Sequence, residues 1–285
     1  MNAGPRIAVV IPAFEAAATI AAAVASARDQ TVAPAEIVVV DDGSTDQTAA
    51  NAAAAGARVL RQANAGPGAA RNAGIRATAG EFVAFLDADD TFVLDKLALQ
   101  VAALADHGVV ACCSDAWLLR DGARVGRKHA GRSIPATIGY ADLLAGNPVI
   151  ASSVLARREA LLAAGLFDED RDLIATEDYD LWLRLARRGG IAYLDTPLVG
   201  YRIGQPSLGS TARFLSGIDK IMRKLGEERA PVRVRARLDR AAELVAAGQG
   251  RAARALLREA RALGARGLEP RKVWLRSWVA GMRGR

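Results

Sequence analysis

The apolar run Glu81-Phe82-Val83-Ala84-Phe85-Leu86 ends in Asp87-Ala88-Asp89-Asp90. Three carboxylates at the end of a buried strand concentrate negative charge, which is tolerated only when solvated, paired or neutralised by a cation. A divalent metal is one neutraliser. The alternative is that Asp89 or Asp90 caps a helix running from Thr91 towards Leu97, because Asp is a preferred N-cap residue. Acidic residues of the same kind follow the run Glu36-Ile37-Val38-Val39-Val40, as Asp41-Asp42-Gly43-Ser44, and precede the amphipathic stretch Tyr179 to Arg188, as Glu177-Asp178. Read from the residues alone, the latter pair caps that helix. His107 and His129 have no partners at metal-ligand spacing, and the adjacent Cys112 and Cys113 can build neither a disulfide framework nor a zinc site. Both cysteines read as small packing residues in a reducing, cytoplasmic setting.

The elements that must position these groups alternate. Ile7-Ala8-Val9-Val10-Ile11 reads as a strand stopped by Pro12, and the Ala-rich stretch from Glu15 to Arg28 reads as helix. Further strands are expected at Glu36–Val40, Arg58–Leu60 and Phe82–Leu86, with a helix from Thr45 to Ala55. That alternation predicts βαβ units, a mostly parallel sheet and helices on both faces. In such sheets ligands bind beyond the carboxyl ends of the strands. Pro12 to Glu15, Asp41 to Ser44 and Asp87 to Asp90 each follow a predicted strand, so all three are expected at one edge as one site. Later signals are sparser: strand character at Val109–Cys113, Trp117–Leu119 and Ser152–Ala156, and a short helix from Glu159 to Ala164.

Taken together, these segments resemble a family-2 glycosyltransferase with the GT-A fold, a mostly parallel nucleotide-binding α/β sheet flanked by helices. The matching pieces are Val9 to Phe14, Glu36 to Asp46, Asn64-Ala65-Gly66-Pro67-Gly68-Ala69-Ala70-Arg71-Asn72-Ala73-Gly74, Gly80 to Asp90, Gly165 to Glu169 and Thr176 to Trp182. The resemblance covers about residues 6 to 203. It implies a nucleoside-diphosphate-sugar donor, a UDP-sugar being favoured, with Asp42 accepting from the base and Pro12, Ala13, Phe14 and Glu15 enclosing base and ribose. Arg71 resembles the arginine near the nucleotide; its other reading is a salt bridge to Asp41 or Asp42. Asp87 and Asp89 resemble the Asp-x-Asp pair that positions Mg2+ or Mn2+ on the donor diphosphate, Asp89 being the favoured ligand, with the small Ala88 allowing close approach. Asp178 resembles the catalytic base of an inverting transfer, assisted by desolvation beside Tyr179 and Trp182, and Glu177 and Trp182 are expected to meet the acceptor. Many relatives carry a metal-site histidine after a Tyr-Arg pair like Tyr201-Arg202; here Ile203-Gly204-Gln205 stands there.

Two other classes compete. A sugar-1-phosphate nucleotidyltransferase wants a glycine-rich, basic loop after the first strand, and Pro12-Ala13-Phe14-Glu15 is neither. An inactive transferase-like module that binds glycan or recruits a partner is the non-enzymatic alternative, opposed by carboxylates at every motif. Gly66-x-Gly68 lacks the third glycine of a dinucleotide fingerprint and does not follow a strand.

The 285-residue chain is 51% apolar and 24% charged, as an ordinary globular protein is. Its net charge of +7 divides unevenly: residues 1–212 carry 19 Lys+Arg against 24 Asp+Glu, whereas 213–285 carry 19 against 7. Two regions are therefore expected, a transferase domain at 1–212 and a helical, Arg-rich extension at 213–285, with helices at Arg213–Arg229, Val232–Ala247 and Arg251–Leu263. Arg271 to Val279 mixes Trp274 and Trp278 with basic residues, which suits peripheral contact with an anionic membrane surface or packing of the tryptophans on the body. A glycan or lipid-linked acceptor, in cell-surface polysaccharide or glycolipid synthesis, accords with the first of these. Nucleic acid is disfavoured, because no recognised module accompanies the charge. No signal-peptide pattern or membrane span is legible near Met1.

Overall fold

A computed structural model describes residues 4–105, 108–204 and 211–266. In chain order the elements are β1 (Ile7–Ala13), α1 (Ile20–Arg28), β2 (Glu36–Asp41), α2 (Thr48–Ala54), β3 (Arg58–Arg61), α3 (Pro67–Ala77), β4 (Phe82–Phe85) and β5 (Thr91–Phe92). There follow α4 (Lys96–Ala103), β6 (Val109–Arg120), β7 (Ala123–Arg127), β8 (Thr137–Ile138), α5 (Tyr140–Ala145), β9 (Leu155–Arg157), α6 (Arg158–Ala163), α7 (Glu177–Ala186) and β10 (Gly190–Arg202). The chain continues into α8 (Thr211–Leu225), α9 (Pro231–Ala246) and α10 (Gly250–Ala262). Two compact units result, one from residues 1–140 with 148–207, the other from 141–147 with 208–285.

The first unit is an α/β structure around one sheet, in the order β3-β2-β1-β4-β9-β6-β10-β5, with β7 on β6 and β8 on β10. β1 pairs in parallel with β2 and β4, and β2 with β3. β9 is antiparallel to both β4 and β6, so β6 and its parallel neighbour β10 run in the direction of β4. Six strands therefore end at one edge. β1 is apolar at almost every position because helices cover both faces of a central parallel strand. In α1, Ile20, Ala23, Val24 and Ala27 are buried, an i, i+3, i+4, i+7 stripe facing the core. On α3, Gly74 lets the helix touch the sheet: a Cβ there would fall inside the van der Waals envelope of Val10 Cγ1.

Several expectations change. Thr91–Phe92 is a short strand on β10, and the following helix starts only at Lys96, with Asp95 at its N-cap position. Neither Asp89 nor Asp90 is a helix cap. The strand expected at Ser152–Ala156 is a 3-10 turn at Ala151–Ser153 followed by β9. Val109–Cys113 and Trp117–Leu119 belong to one continuous strand, β6, and β10 is a 13-residue strand that the sequence reading did not anticipate. Its register shifts around Leu194 and Pro197, where proline cannot donate to a ladder.

The second unit is helical. Leu215, Ala236, Leu238, Ala241, Ala253, Leu256, Leu257 and Ala260 form its core. Arg237, almost fully buried, is neutralised by Asp219 (2.6 Å) and Glu259 (3.0 Å). Gly248, at φ +76°, ends α9 in the left-handed conformation that glycine adopts without strain. On α10, Arg251, Arg254, Arg258 and Arg261 recur at i, i+3, i+7 and i+10, which places four guanidinium groups along one side of the helix. Among the described residues no helix is long and apolar enough to cross a membrane. Gln205, Trp274 and Trp278 lie outside the described residues.

Candidate functional site

The loops after β1 and β2 interlock at the carboxyl edge. The Asp42 N–H donates to the Ala13 carbonyl (2.8 Å), and the Glu15 N–H to Ser44 Oγ (2.9 Å). Glu15 Oε1 in turn accepts from the Thr45 N–H (2.8 Å) and hydroxyl (2.9 Å), so this carboxylate holds the second loop. Glu15 sits at φ +49°, a conformation the loop maintains through these bonds. Pro12 and Ala13 line the start of the turn, whereas the ring of Phe14 is half exposed.

Asp41 and Asp42 are both buried and both engaged. Asp41 accepts from Arg61 Nε (3.0 Å) and the Ser44 N–H (3.0 Å). Asp42 accepts from Gln62 Nε2 (2.7 Å), the Ala65 N–H (2.9 Å) and the Gly66 N–H (2.8 Å), and thereby anchors the segment that leads into α3. A carboxylate has about four acceptor sites, so Asp42 retains about one. Neither residue meets Arg71, and the salt bridge considered for Arg71 on these aspartates is replaced by another.

Arg71, on the second turn of α3 and only 5% exposed, spans two separate parts of the edge. Its Nη2 donates to Asp87 Oδ1 (2.7 Å), and its Nη1 to Glu177 Oε1 (2.8 Å). The guanidinium also lies over the Phe167 ring, 5.4 Å from its centroid. Asn72 fixes the facing motif: it donates to the Phe167 carbonyl (2.9 Å) and Glu169 Oε1 (2.8 Å) and accepts from the Phe167 N–H (2.9 Å). The Gly165-to-Glu169 motif is thus clamped onto α3. Arg71 Nε and Glu177 Oε2 are buried without a partner among the described residues.

The four residues after β4 divide their roles. Asp87 pairs with Arg71, and its N–H donates to Ser152 Oγ (3.0 Å). Ala88 is buried and adds no bulk between the carboxylates. Asp90, 2% exposed, accepts from Ser152 Oγ (2.6 Å) and the Arg202 N–H (2.9 Å), so it ties the loop to the end of β10. Burial pushes its carboxyl well up, and the Asp87 charge adds to this. Asp89 is held through its carbonyl, which accepts from Arg202 Nε (3.1 Å); its carboxylate meets its own N–H and feels the Arg202 charge. Burial and the neighbouring Asp87 charge raise its proton affinity. A half-buried carboxylate beside the Asp87 charge fits a cation, although no cluster of three or more acidic, His or Cys side chains suited to hold one occurs among the described residues. A Mg2+ or Mn2+ ion there would take most of its ligands from phosphate and water.

Asp178 lies in the first turn of α7, after Thr176 at the N-cap position. Its Oδ1 accepts from the Tyr179 N–H (2.7 Å). Burial pushes the carboxyl up to about 7, the adjacent Glu177 charge adds to that, and Arg71 opposes it. Trp182 does not join the site. It is fully buried against Phe85 and Phe167, at ring-centroid distances of 6.1 and 6.0 Å, and presents no surface to an acceptor. The desolvation expected around Asp178 is present, but Trp182 contributes as core.

Sequence reasoning gave no role to Ser152, Asn72 or Arg202. Asn72 stood inside a quoted motif, whereas Ser152 carried no local signal because its partners are 62 and 65 residues away.

The profile of glycosyl transferase family 2 matches residues 8–161. The chain is 28% identical over 221 residues to an uncharacterized glycosyltransferase of Rickettsia conorii, 74% of this chain but only 34% of that relative's length. It is 27% identical over 210 residues to a UDP-Glc:alpha-D-GlcNAc-diphosphoundecaprenol beta-1,3-glucosyltransferase of Escherichia coli, 72% of this chain and 79% of that one. In fold it is similar to S. aureus TarS residues 1–349 in complex with UDP-GlcNAc, with a TM-score of 0.63 and 20% identity, covering 82% of this chain and 70% of the other.

Proposed function

The chain belongs to glycosyl transferase family 2, and we propose that it transfers a sugar from a nucleoside-diphosphate sugar to an acceptor hydroxyl, with inversion at the anomeric carbon. The observation that carries this reading is the placement of Asp178 beside Glu177, which Arg71 ties to Asp87 of the carboxylate loop, with burial pushing the Asp178 carboxyl up to about 7. A general base works best with its pKa near the operating pH. Asp178 takes the proton of the acceptor hydroxyl as that oxygen attacks the face of the sugar opposite the leaving diphosphate. Glu177, buried beside Asp178 and paired with Arg71, acts from behind the base by raising its proton affinity.

The donor lies along the loops after β1, β2 and β4. The half-exposed Phe14 ring offers a stacking face for the base, beside the remaining acceptor site of Asp42. A UDP-sugar is favoured by the relative named for UDP-Glc and the neighbour bound to UDP-GlcNAc. Asp89, with Asp87 behind it, would hold Mg2+ or Mn2+, which when bound supplies Lewis-acid stabilisation of the departing nucleoside diphosphate. The diphosphoundecaprenol acceptor named for the Escherichia coli relative supports a lipid-linked acceptor here. The arginine row on α10 supports contact with an anionic membrane surface, at the cytoplasmic face.

The test is a panel of sugar nucleotides, followed by nucleoside-diphosphate release, with and without Mn2+. Asp178→Asn should lower transfer by about 10²- to 10⁴-fold while UDP affinity persists. Undiminished transfer removes Asp178 from the role, and failure of every sugar nucleotide to bind or turn over favours the inactive glycan-binding module.

A further inference from the structure

The first unit is acidic overall, yet five of its basic residues fall within residues 120–132: Arg120, Arg124, Arg127, Lys128 and Arg132, against the single Asp121. These residues form the β6–β7 hairpin and the turn after it. β6 ends at the same edge as β4, so the hairpin rises beside the carboxylate loops. Its two faces are not equivalent. On one, Arg127 is held by Asp115 (2.7 Å) and Asp195, and Arg124 lies over Trp117, 4.9 Å from its ring centroid. That face uses its cations to fasten the hairpin to the sheet.

The other face looks towards the site. Tyr201 is opposite Leu118 in the β6–β10 register, and alternation along β6 sets Ala116, Leu118 and Arg120 on that side. The Lys128 N–H donates to the Ala116 carbonyl (2.9 Å), and its ammonium lies over the Tyr201 ring, 4.9 Å from the centroid. The next residue along β10, Arg202, bonds Asp90 and the Asp89 carbonyl. Lys128 and Arg120 are both exposed. Burial, and then the charges of Asp90, Asp87, Asp89 and Asp178, push the Tyr201 phenol up, so the exposed ammonium that lies on this ring borders the carboxylate edge.

We propose that this face is an anion subsite for the acceptor, in which Lys128, backed by Tyr201, holds a phosphate or diphosphate carried by the acceptor molecule and Arg120 steers it from further out. The assignment rests on the transferase reading and adds an acceptor class to it. A cationic hairpin on an otherwise acidic unit provides local attraction against the general repulsion an anionic substrate meets there. Arg120 acts at longer range, because it stands about 7 Å beyond Leu118 along the strand.

Calorimetric titration of the full chain with citronellyl diphosphate, under saturating UDP and Mn2+ to fill the donor site, tests this without any transfer reaction. The chain should bind the probe. Lys128→Ala should weaken it about tenfold, the loss of one charge-assisted contact. Arg120→Ala should weaken it less, and Lys128→Arg should retain it. UDP affinity, measured separately, should not change in any variant. Equal affinity in Lys128→Ala, or no binding by the unaltered chain, overturns the proposal. A parallel loss of UDP affinity also overturns it, by assigning Lys128 to the donor. Failure of the unaltered chain to bind UDP itself would count against the donor reading and leaves the probe's dependence on Lys128 separately readable.

Discussion

Replacing Arg71 by Met should expose how much of the edge depends on one guanidinium. The side chain is 6% exposed, its partner Glu177 is 7% exposed, and Asp87 is 32% exposed. Removing one partner of a buried ion pair costs about 3–5 kcal/mol, because the remaining charge stays desolvated and unpaired. The Glu177 half bears this cost, since Asp87 can recruit water and the second Glu177 oxygen already lacks a partner among the described residues. For a unit of about 200 residues, each kcal/mol lowers Tm by about 2–4 °C, so Arg71→Met should melt about 6–20 °C lower. Adding Glu177→Gln to Arg71→Met removes the stranded charge and should restore more than half of that loss. Thermal melts of the four members of this cycle, at one pH and ionic strength, measure the coupling. A double variant no more stable than Arg71→Met, or a single variant that melts with the unaltered chain, refutes the bridge as the element joining the two parts of the edge.

The same charges set the pH response. Activity should fall as pH drops through about 7, because the Asp178 carboxylate is the active form and burial with Glu177 raises its proton affinity. Glu177→Gln removes a like charge and should move this acid limb of kcat/KM to lower pH, whereas Arg71→Met removes an opposing charge and should move it higher; shifts of the same sign in both would contradict this assignment. At Gly74, a methyl group collides with Val10 Cγ1. Gly74→Ala should therefore cost about 1–3 kcal/mol by overpacking, and Val10→Ala should recover part of it in the double variant, as read by chemical denaturation.

The parallel half of the fold was legible because each strand through β4 is a short run with an apolar centre, so local pattern and tertiary role agree, although β1 runs through Pro12 to Ala13 instead of stopping there. That agreement brought the loops after β1, β2 and β4 to one edge before any coordinates. β10 was not legible. Asp195-Thr196-Pro197 reads locally as a turn, yet pairing with β6 on both sides carries the strand through it with a shift in register. Long-range partners explain the other misses. Arg71 finds Glu177 across 106 residues, and nothing near it in sequence distinguishes that carboxylate from Asp41 or Asp42. Trp182 stands one turn after Asp178 on α7, which suggested proximity to substrate, but the helix turns that residue into the core beneath the site. The helices α8, α9 and α10 were found nearly at their observed limits, because their apolar stripes and the glycines that end them are local signals.

The bond between the Arg202 N–H and Asp90 has a temporal side. All three carboxylates after β4 leave the ribosome early, but the backbone group that anchors Asp90 is 112 residues further along, at the end of the last strand. Until β10 is laid beside β6, Asp90 has only Ser152 to satisfy it, and Tyr201 has no place above Lys128. Contacts of such sequence separation form slowly, since the intervening chain must first be ordered. The carboxylate edge is therefore complete only when the last strand is in place, and a chain interrupted before β10 would lack the backbone group that holds Asp90.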